Sequence, residues 1–347
     1  MSEWQEYKLG EVTTLHYGKA LKSENRIEGN VPVYSSAGLT GYHNEALIDE
    51  KGLIIGRKGT VGKVYFSEKP FWCIDTAYYV LPNEKKYDFS YLYYLLQTLG
   101  LEHLNEDSAV PGLNRETAYN QSCFIPPLPE QKAIAAVLSS LDDKIDILHR
   151  QNKTLEAMAE TLFRQLFIEE AREDWEEGRL GDVIELHYGK GLKTEERAGR
   201  GYPVVGSSGI VDHHTEFLVK GPGIVIGRKG TLGKVIYLWD NFYPIDTTYY
   251  VKSNVESAGL LYEYFLLKTI GFEDMNTDSA VPGLNRDIAL STEIRIPPED
   301  KLHAFNELVA DFVGKLKTNR DQILTLEQLR DTLLPKLMSG EIRVKIA

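Results

Sequence analysis

A glycine-rich segment that carries three cations occurs twice in the sequence. It reads GRKGTVGKV over residues 56–64 and GRKGTLGKV over residues 227–235. Glycines let a backbone come close to a phosphate group, and three cations in one turn release counterions when they bind nucleic acid. We therefore predict that this segment, here called the basic turn, contacts DNA, although an exposed hairpin tip in water would have the same composition. The predicted contacts are Arg57, Lys58 and Lys63 in the first copy and Arg228, Lys229 and Lys234 in the second.

A second repeated segment ends in two residues whose side chains can bind nucleic acid. The sequence DSAVPGLNR occupies residues 107–115 and again residues 278–286. Asn and Arg side chains hydrogen-bond base edges or phosphate oxygens. Asn also caps helices, and the residues that follow it can form a helix, so both interpretations stay open and are compatible. The residues concerned are Asn114, Arg115, Asn285 and Arg286.

A third repeat, LHYGK, lies at residues 15–19 and 186–190 and supplies further candidates for DNA contact. Its tyrosines, Tyr17 and Tyr188, can stack on a base or contact a phosphate. The additional cations and hydroxyl groups predicted to lie near DNA are Lys19, Lys22, Lys190 and Lys193, with the loops Ser35–Ser36 and Ser207–Ser208.

No arrangement of residues in the sequence predicts catalysis or a metal site. A Walker A loop needs GxxxxGK[ST], but five residues separate Gly56 from Gly62, and Val64 stands in the Ser/Thr position. The eight histidines are dispersed, and the pair at 213–214 has no partners at metal-ligand spacing. We therefore expect a non-catalytic protein.

The composition is that of a folded, soluble protein of 347 residues, with 42% hydrophobic and 26% charged residues. The net charge of −12 argues only weakly against a nucleic-acid partner, because residues 169–177 alone hold six acids and one arginine. Cys73 and Cys123 match Pro244 and Ile294 in the second copy, which indicates small apolar residues rather than nucleophiles or a disulfide framework. The sequence shows no signal peptide and no apolar run of about 20 residues, so we expect a cytoplasmic protein without membrane contact.

All three repeats lie 171 residues after their first copies, which indicates a duplicated domain. The first ~125 residues of each copy mix strand and turn patterns. In the first copy, residues 52–56 and 63–66 predict a hairpin, and residues 91–99 predict a helix. The predicted fold class is α+β, with two similar mixed α/β domains joined by a long antiparallel two-helix coiled coil and related by a pseudo-two-fold repeat.

The coiled coil is predicted from residues 130–170, which contain no proline or glycine and repeat apolar residues in steps of three and four. A similar pattern follows Pro298, and Pro335 is expected to kink or end that second helix. Two helices of equal length in one chain most simply pair antiparallel. The predicted seam consists of Ile134, Leu138, Leu141, Ile145, Leu148, Leu155, Leu162 and Leu166, and of Phe305, Leu308, Phe312, Leu316, Ile323, Leu326, Leu333 and Leu337, with Asn152 and Asn319 as its polar members.

The apolar stripe widens towards the end of each helix beyond what a coiled coil needs. This surplus face either packs under the chain's own domains or receives helices from a partner protein, and the sequence leaves both alternatives open. The predicted partner contacts are Leu162, Phe163, Leu166 and Phe167 in the first helix and Leu333, Leu334, Leu337 and Met338 in the second.

The order of these motifs resembles the specificity (S) subunit of type I restriction-modification enzymes over essentially the whole chain. The resemblance rests on the two basic turns, the two SAVPGLNR segments, IPPLPEQ at residues 125–131 and LPKLMSGEI at residues 334–342. It implies target-recognition domains at 1–128 and 172–298, a spacer helix at 129–171, and a second spacer helix with a C-terminal tail at 299–347.

The resemblance also implies a function. Each domain would read one half of a bipartite DNA site, and the helices would dock DNA methyltransferase (M) subunits, two in number, that methylate adenine N6. Restriction/translocase (R) subunits would join that core, and S-adenosylmethionine, ATP and magnesium would belong to those partners, with no cofactor in this chain. Because the two domains are unusually alike, we expect a nearly palindromic double-stranded DNA site.

Two alternatives remain open from the sequence. One is the specificity subunit of a type IIB-like restriction enzyme, in which a fused nuclease-methylase replaces the separate partners. The other is a coiled-coil interaction scaffold with two peptide- or protein-binding heads, which would not bind DNA in a sequence-dependent way.

Overall fold

The computed structural model describes residues 4–83, 86–104, 112–255, 260–275 and 283–345. Its contacts divide the chain into two compact units, one formed by residues 1–147 with 323–347 and the other by residues 148–322. Each unit contains one domain and parts of both long helices, so the boundary between the units falls within those helices.

The two domains contain the same strands in the same order. In the first domain the strands are β1 (Gln5–Lys8), β2 (His16–Tyr17), β3 (Val31–Ser35), β4 (Gly38–His43), β5 (Gly52–Gly56), β6 (Val64–Ser67), β7 (Trp72–Cys73), β8 (Ala77–Val80) and β9 (Ser122–Ile125). In the second domain they are β10 (Glu176–Arg179), β11 (Ile184–Tyr188), β12 (Tyr202–Gly206), β13 (Gly209–His214), β14 (Gly223–Gly227), β15 (Val235–Leu238), β16 (Tyr243–Pro244), β17 (Thr248–Ser253) and β18 (Glu293–Ile296).

Short helices accompany these strands, and two long helices follow the domains. The helices are α1 (Leu9–Val12), α2 (Phe89–Thr98), α3 (Arg115–Tyr119), α4 (Leu128–Arg164), α5 (Leu180–Val183), α6 (Leu261–Thr269), α7 (Arg286–Leu290) and α8 (Glu299–Met338). A π-helical turn over Gln165–Glu169 extends α4. None of the helices in the part of the chain that the structure describes is long and apolar enough to cross a membrane.

Each domain is built on a four-stranded antiparallel sheet. Its order is β2-β8-β5-β6 in the first domain and β11-β17-β14-β15 in the second. A three-stranded sheet, β4-β3-β7 or β13-β12-β16, lies beside it and contains one parallel pair. Leu53, Ile54 and Ile55 of the central strand β5 are fully buried, as their run of β-branched and aliphatic side chains requires. The predicted β5–β6 hairpin and the α+β fold class are confirmed.

The core of the first unit joins the sheet to the long helices. Tyr91 and Leu92 of α2 are buried against it, and the helix starts where the Asp88 side chain accepts a hydrogen bond from Tyr91 N (2.9 Å). Ile134 and Leu138 of α4 enter the same core with no exposed surface. The first turns of α4 are therefore held by domain packing as well as by helix pairing.

Within the first unit, the two long helices run antiparallel. Arg330 Nη1 donates to Asp142 Oδ1 (2.9 Å), and farther along Arg343 Nη2 donates to the buried Glu130 Oε2 (2.7 Å). As residue numbers fall along α4, those of their partners rise along α8 and the segment after it. The predicted antiparallel pairing is confirmed in this unit.

The second unit shows the same antiparallel arrangement. Asn319 Nδ2 donates to Asn152 Oδ1 (2.8 Å), and Phe163 meets Phe305 edge-on at 5.7 Å between ring centres. Asn319 is fully buried, so the two predicted polar seam residues are partners of one another. A hydrogen-bonded polar pair in an apolar seam favours one register, because any shift would bury the amides without partners.

One predicted seam residue is wrong, and of the two effects predicted for Pro335, a kink or an early end of the helix, the early end is not observed. Leu308 is 48% exposed, and Val309, one position later, is buried in its place, because α8 also packs against the second domain and turns this face inward. The helix also does not end at Pro335 but continues to Met338. The remaining seam residues are buried or partly buried.

Candidate nucleic-acid interface

Tyr17 lies close to two guanidinium groups at the surface of the first domain. The Cζ atom of Arg57 is 5.0 Å from the centre of the ring, and that of Arg115 is 5.1 Å from it. The tyrosine is 49% exposed, so these contacts are made at a surface open to a ligand. Cation–π contacts hold both arginines beside the ring. Arg115 Nε also lies 3.8 Å from Glu116 Oε1. We call Tyr17, Arg57 and Arg115 the arginine clamp.

Three separate elements position this arginine clamp. Tyr17 ends β2 and packs edge-on against Tyr78 of β8, at 5.1 Å between ring centres. Arg57 directly follows β5, and its Nη1 donates to Asp75 O (2.9 Å). Arg115 is the first residue of α3.

The second domain repeats the arrangement. Arg228 lies 4.9 Å and Arg286 lies 5.6 Å from the ring centre of Tyr188, which is 51% exposed. Arg228 Nη1 donates to Asp246 O (3.0 Å), as in the first domain. The same three repeated motifs therefore form the same contacts in both domains. The arginine clamp is thus a property of these motifs and not of the packing in one domain.

Backbone hydrogen bonds bring the basic turn and the GLNR segment together. Leu113 N donates to Arg57 O (2.8 Å), and the Tyr78 hydroxyl donates to Leu113 O (3.0 Å). Leu284 forms the same two bonds in the second domain, at 3.0 Å each, with Arg228 O and the Tyr249 hydroxyl. The earlier parts of the two DSAVPGLNR segments, residues 107–111 and 278–282, lie outside the described residues.

Burial, together with the contact with Tyr17, raises the pKa of Tyr78 to about 12, although Arg57 and Arg115 act in the opposite direction. Burial raises the pKa of Tyr249 to about 12 in the same way. Both phenols are protonated at neutral pH, so each can donate the hydrogen bond that holds the GLNR segment.

The capping interpretation of the two asparagines is confirmed. Asn114 Oδ1 accepts from Glu116 N (2.8 Å) and Thr117 N (3.3 Å) at the start of α3. Asn285 Oδ1 caps α7 in the same manner, with bonds of 2.9 and 3.2 Å. Both asparagines are exposed, and their contact with DNA stays a prediction.

The glycines of the basic turn are there because the backbone is too close for a side chain. A Cβ atom at Gly56 would lie 1.9 Å from Thr60 O, and one at Gly62, whose φ is +75°, would lie 2.2 Å from Glu102 N. The turn thereby folds tightly and leaves Lys58 and Lys63 exposed. The corresponding Lys229 and Lys234 are exposed too.

The other predicted cations lie on the loops that follow the LHYGK repeats. Lys19 Nζ is 5.9 Å from the ring centre of Trp72, and Lys22 forms a 3.5 Å ion pair with Glu24, which offsets its charge. Lys190 and Lys193 occupy the equivalent exposed loop of the second domain. The structure assigns these four lysines to a neighbouring loop rather than to the arginine clamp itself.

The serine loops lie next to the basic turns. Ser36 N donates to Thr76 Oγ1 (3.3 Å), and Thr76 O accepts from the backbone N–H groups of Arg57 (2.9 Å) and Lys58 (3.0 Å). In the second domain, Lys234 Nζ donates to Ser208 O (2.6 Å). Thr76 thus fixes the serine loop and the basic turn relative to each other.

No group of three or more His, Cys, Asp or Glu residues that could hold a metal ion occurs within the described ranges. Burial, with a smaller contribution from Asp75, raises the pKa of the Cys73 thiol to about 12. Burial also raises the pKa of the Cys123 thiol, to about 11, with nearby acids adding to it. Both thiols are protonated at neutral pH, which agrees with their interpretation as small apolar residues.

Comparison with known proteins decides the family. The sequence model of the type I restriction modification DNA specificity domain matches residues 1–157 and again residues 172–328. The chain belongs to this specificity family. The resemblance inferred from the motifs is therefore confirmed, and the function at this level is DNA sequence specificity.

Individual members of the specificity family align with most of the chain. The MjaIX specificity subunit of Methanocaldococcus jannaschii is 28% identical over 357 positions, which cover 87% of this chain and 82% of the relative. The MjaVIII specificity subunit of the same organism is 21% identical over 402 positions, which cover 99% and 94%. The S subunit of a type I restriction-modification system from M. genitalium shares the fold, with a TM-score of 0.69, 20% identity, and coverage of 97% of this chain and 96% of that one.

In this specificity-family chain, the surplus apolar face of the helices packs against the protein's own domains. Phe163, Leu337 and Met338 are 2, 2 and 5% exposed, so they have almost no surface to offer a partner. The other five predicted partner contacts are partly buried against the same cores: Leu162, Leu166, Phe167, Leu333 and Leu334. Of the two alternatives, the structure shows packing under the domains, and partner contact stays a prediction for those five.

Sequence reasoning did not find two exposed apolar side chains near the basic turns. Leu39 and Ile210 occupy equivalent positions in β4 and β13 and are 50% and 57% exposed. The signal that could have found them is their place directly after the serine loop and a glycine in both copies.

Proposed function

We propose that each domain of this chain reads one half of a bipartite DNA site. The support is the arginine clamp, which is built twice from the same motifs at an exposed surface. The exposed lysines of the basic turn lie beside it. A planar guanidinium that stacks on a tyrosine is pre-ordered for bidentate contact with a phosphate or with guanine O6 and N7, so little rotamer entropy is lost on binding.

In this proposal the basic turn and the clamp have distinct roles. Lys58 and Lys63 are exposed point charges that neutralise phosphates and give affinity without reading sequence. Arg57 and Arg115 are held by Tyr17 and present a defined edge, which suits a base or a particular phosphate. Asn114, which caps α3, fixes the start of the helix that carries Arg115.

The likeness of the two domains supports a nearly palindromic target. The same side chains recur in the same contacts, and identical readers prefer identical base pairs. Two such readers that approach a duplex in a two-fold arrangement read matching sequences on opposite strands.

The chemistry is proposed to come from bound partners. M subunits would supply S-adenosylmethionine-dependent methylation of adenine N6, and R subunits would supply ATP- and magnesium-dependent translocation and cleavage. This chain would contribute recognition and the docking surface for two M subunits.

A charge-removal experiment tests the proposal. In the complex with M subunits, Arg57, Lys58 and Lys63 are together replaced by Gln, and DNA binding is measured by fluorescence anisotropy across a range of salt concentrations. Losing the phosphate contacts of Lys58 and Lys63 should reduce the slope of log affinity against log salt by about 1.8, and by about 2.7 if Arg57 also binds a phosphate, at about 0.9 per contact. The equivalent variant of the second basic turn should lose the same amount.

The matched control replaces three other lysines of the first domain by Gln: Lys8, Lys69 and Lys86. It removes the same net charge away from the basic turn, so its salt slope should stay close to that of the unaltered complex. Equal losses in both variants would contradict a specific role for the basic turn. Absence of sequence-dependent binding by the unaltered complex would contradict the proposed function as a whole and favour an interaction scaffold.

A further inference from the structure

Each domain carries a β-hairpin that exposes a large aliphatic side chain near its tip, and the second hairpin also exposes the neighbouring Val211 (42%). The hairpin β3–β4 turns through Ser36 and Ala37 and presents Leu39, and the hairpin β12–β13 presents Ile210 at the equivalent position. These side chains are 50% and 57% exposed, although both belong to residue types that are usually buried. The same feature in both copies indicates that the exposure has a use.

The tip is held rigidly. Ser35 Oγ accepts from Ala37 N (3.1 Å) and donates to Gly38 O (3.4 Å), which closes the two-residue loop. Gly38 has a φ of +96°, as a tight hairpin turn requires. On the other side of Leu39, Thr40 Oγ1 donates to Val33 O (3.2 Å). The position of Leu39 is thus set before any ligand binds.

The hairpin tip is also joined directly to the basic turn. Lys63 Nζ lies 5.8 Å from the ring centre of Tyr65, and Gly38 packs on that same ring. In the second domain the contact is a hydrogen bond, from Lys234 Nζ to Ser208 O (2.6 Å). The hairpin that carries the apolar side chain therefore adjoins the basic turn in each domain, and this arrangement fits a base edge next to a phosphate backbone.

One group on DNA matches this chemistry. The 5-methyl group of thymine is the apolar group that a base pair presents in the major groove, and that groove admits a two-stranded β-ribbon. We propose that the hairpins β3–β4 and β12–β13 enter the major groove and that Leu39 and Ile210 each contact a thymine methyl group, one in each half-site. This inference rests on the proposed function and adds a specificity-determining residue to each domain.

The test removes the methyl group from the DNA and its partner from the protein. The complex of this chain with M subunits first selects its preferred sites from a randomised duplex library. Deoxyuridine then replaces each thymine of a selected site in turn, and affinity is measured for the unaltered complex and for Leu39→Ala, Ile210→Ala and the control Leu329→Ala. Leu329 is 44% exposed on α8, outside the domains.

For the unaltered complex, one uracil substitution in each half-site should weaken binding about fourfold, the factor expected when one methyl group loses an apolar contact. Leu39→Ala should remove that sensitivity in one half-site and Ile210→Ala in the other, while Leu329→Ala keeps both. A selected site with no A·T pair in either half would overturn the inference. So would uracil sensitivity that persists in both alanine variants, or its absence in the unaltered complex. A library from which no sequence is selected would instead refute the proposed function.

Discussion

A polar triad at the junction of the first domain with its helices gives a quantitative test of how the first unit is held together. Asp142 of α4 accepts from Arg330 Nη1 (2.9 Å) and from the Tyr94 hydroxyl (2.6 Å). At the equivalent positions, 171 residues away, the second unit has Val313, Ala159 and Phe265, which are 9, 0 and 3% exposed. Equivalent positions are thus occupied by polar side chains in the first unit and by apolar side chains in the second.

The perturbation is Arg330→Ala, which leaves the Asp142 carboxylate without its cation. Removing one member of a fully buried pair costs about 3–5 kcal/mol, but solvent-exposed pairs are worth less than about 1 kcal/mol. The side chains of Asp142 and Arg330 are 31% and 29% exposed, so the expected cost lies between these limits, at about 1–2 kcal/mol. Burial and the bond to Asp142 raise the pKa of Tyr94, so its hydroxyl remains a donor at neutral pH.

The matched variant carries Tyr94→Phe, Asp142→Val and Arg330→Ala together and so copies the second unit. It leaves no buried charge without a partner, because Asp331, which also accepts from Arg330, has a side chain that is 65% exposed to water. Replacing a polar group by a well-packed apolar set is often neutral or better. We expect it to lie within about 1 kcal/mol of the unaltered protein.

The assay is urea unfolding, with hydrogen exchange followed on peptides from α2 and from α4. Peptides of the first unit are followed separately because a chain with two compact units need not unfold in a single transition. The reasoning would be refuted if the triple variant were as unstable as Arg330→Ala, or if Arg330→Ala changed the stability of the first unit by less than about 0.5 kcal/mol, the scale of ordinary surface substitutions.

Two further predictions concern the basic turn and the buried phenols. Gly227→Ala would place a Cβ atom 2.1 Å from Thr231 O, so we expect the free energy of unfolding to fall by about 1–3 kcal/mol and DNA binding to weaken. Urea unfolding and fluorescence anisotropy measure these two effects. The control Gly191→Ala has open space around its Cβ atom and should change neither, and equal effects of the two substitutions would contradict the argument from close backbone approach. Because the folded pKa of Tyr78 and of Tyr249 is about 12, against about 10 when unfolded, their contribution to stability is complete below pH ~10 and is lost as the pH rises towards 12. Circular dichroism and tyrosinate absorbance should therefore change together above pH ~10, and full ionisation with an intact fold would be the opposite result.

The repeat made much of this architecture predictable from the sequence. A constant offset of 171 residues identified two equivalent domains, and prolines followed by an uninterrupted apolar stripe located both long helices. The basic turn could be recognised because its glycines recur at the same positions in both copies. Gly56 is required by a nearby backbone contact, with Thr60, and Gly62 by a distant one, with Glu102.

The features that escaped sequence reasoning depend on long-range packing. Val309 rather than Leu308 is buried because α8 meets a domain as well as a helix, and heptad spacing describes helix pairing alone. The surplus apolar face could not be assigned to a domain or to a partner, because both would need the same stripe. Leu39 went unnoticed because an aliphatic residue in a strand ordinarily indicates a core.

The arginine clamp was predictable from the sequence only in part. Its three residues belong to three motifs that were recognised separately, and their repetition suggested a shared use. Only the fold shows that Arg57 and Arg115 both contact Tyr17, because the residues are far apart in sequence. They meet through the pairing of β2 with β8 and the bond from Leu113 to the basic turn.

The most direct test of the central claim, that twin domains read matching DNA segments, is single-molecule methylation sequencing of DNA from cells that carry this chain with its M subunit. The account predicts one methylated bipartite motif whose halves are nearly reverse complements, and it predicts that Arg57 and Arg228 replaced together by Gln abolish the signal. Two unrelated half-sites, or a methylation pattern unchanged when this chain is removed, would contradict it.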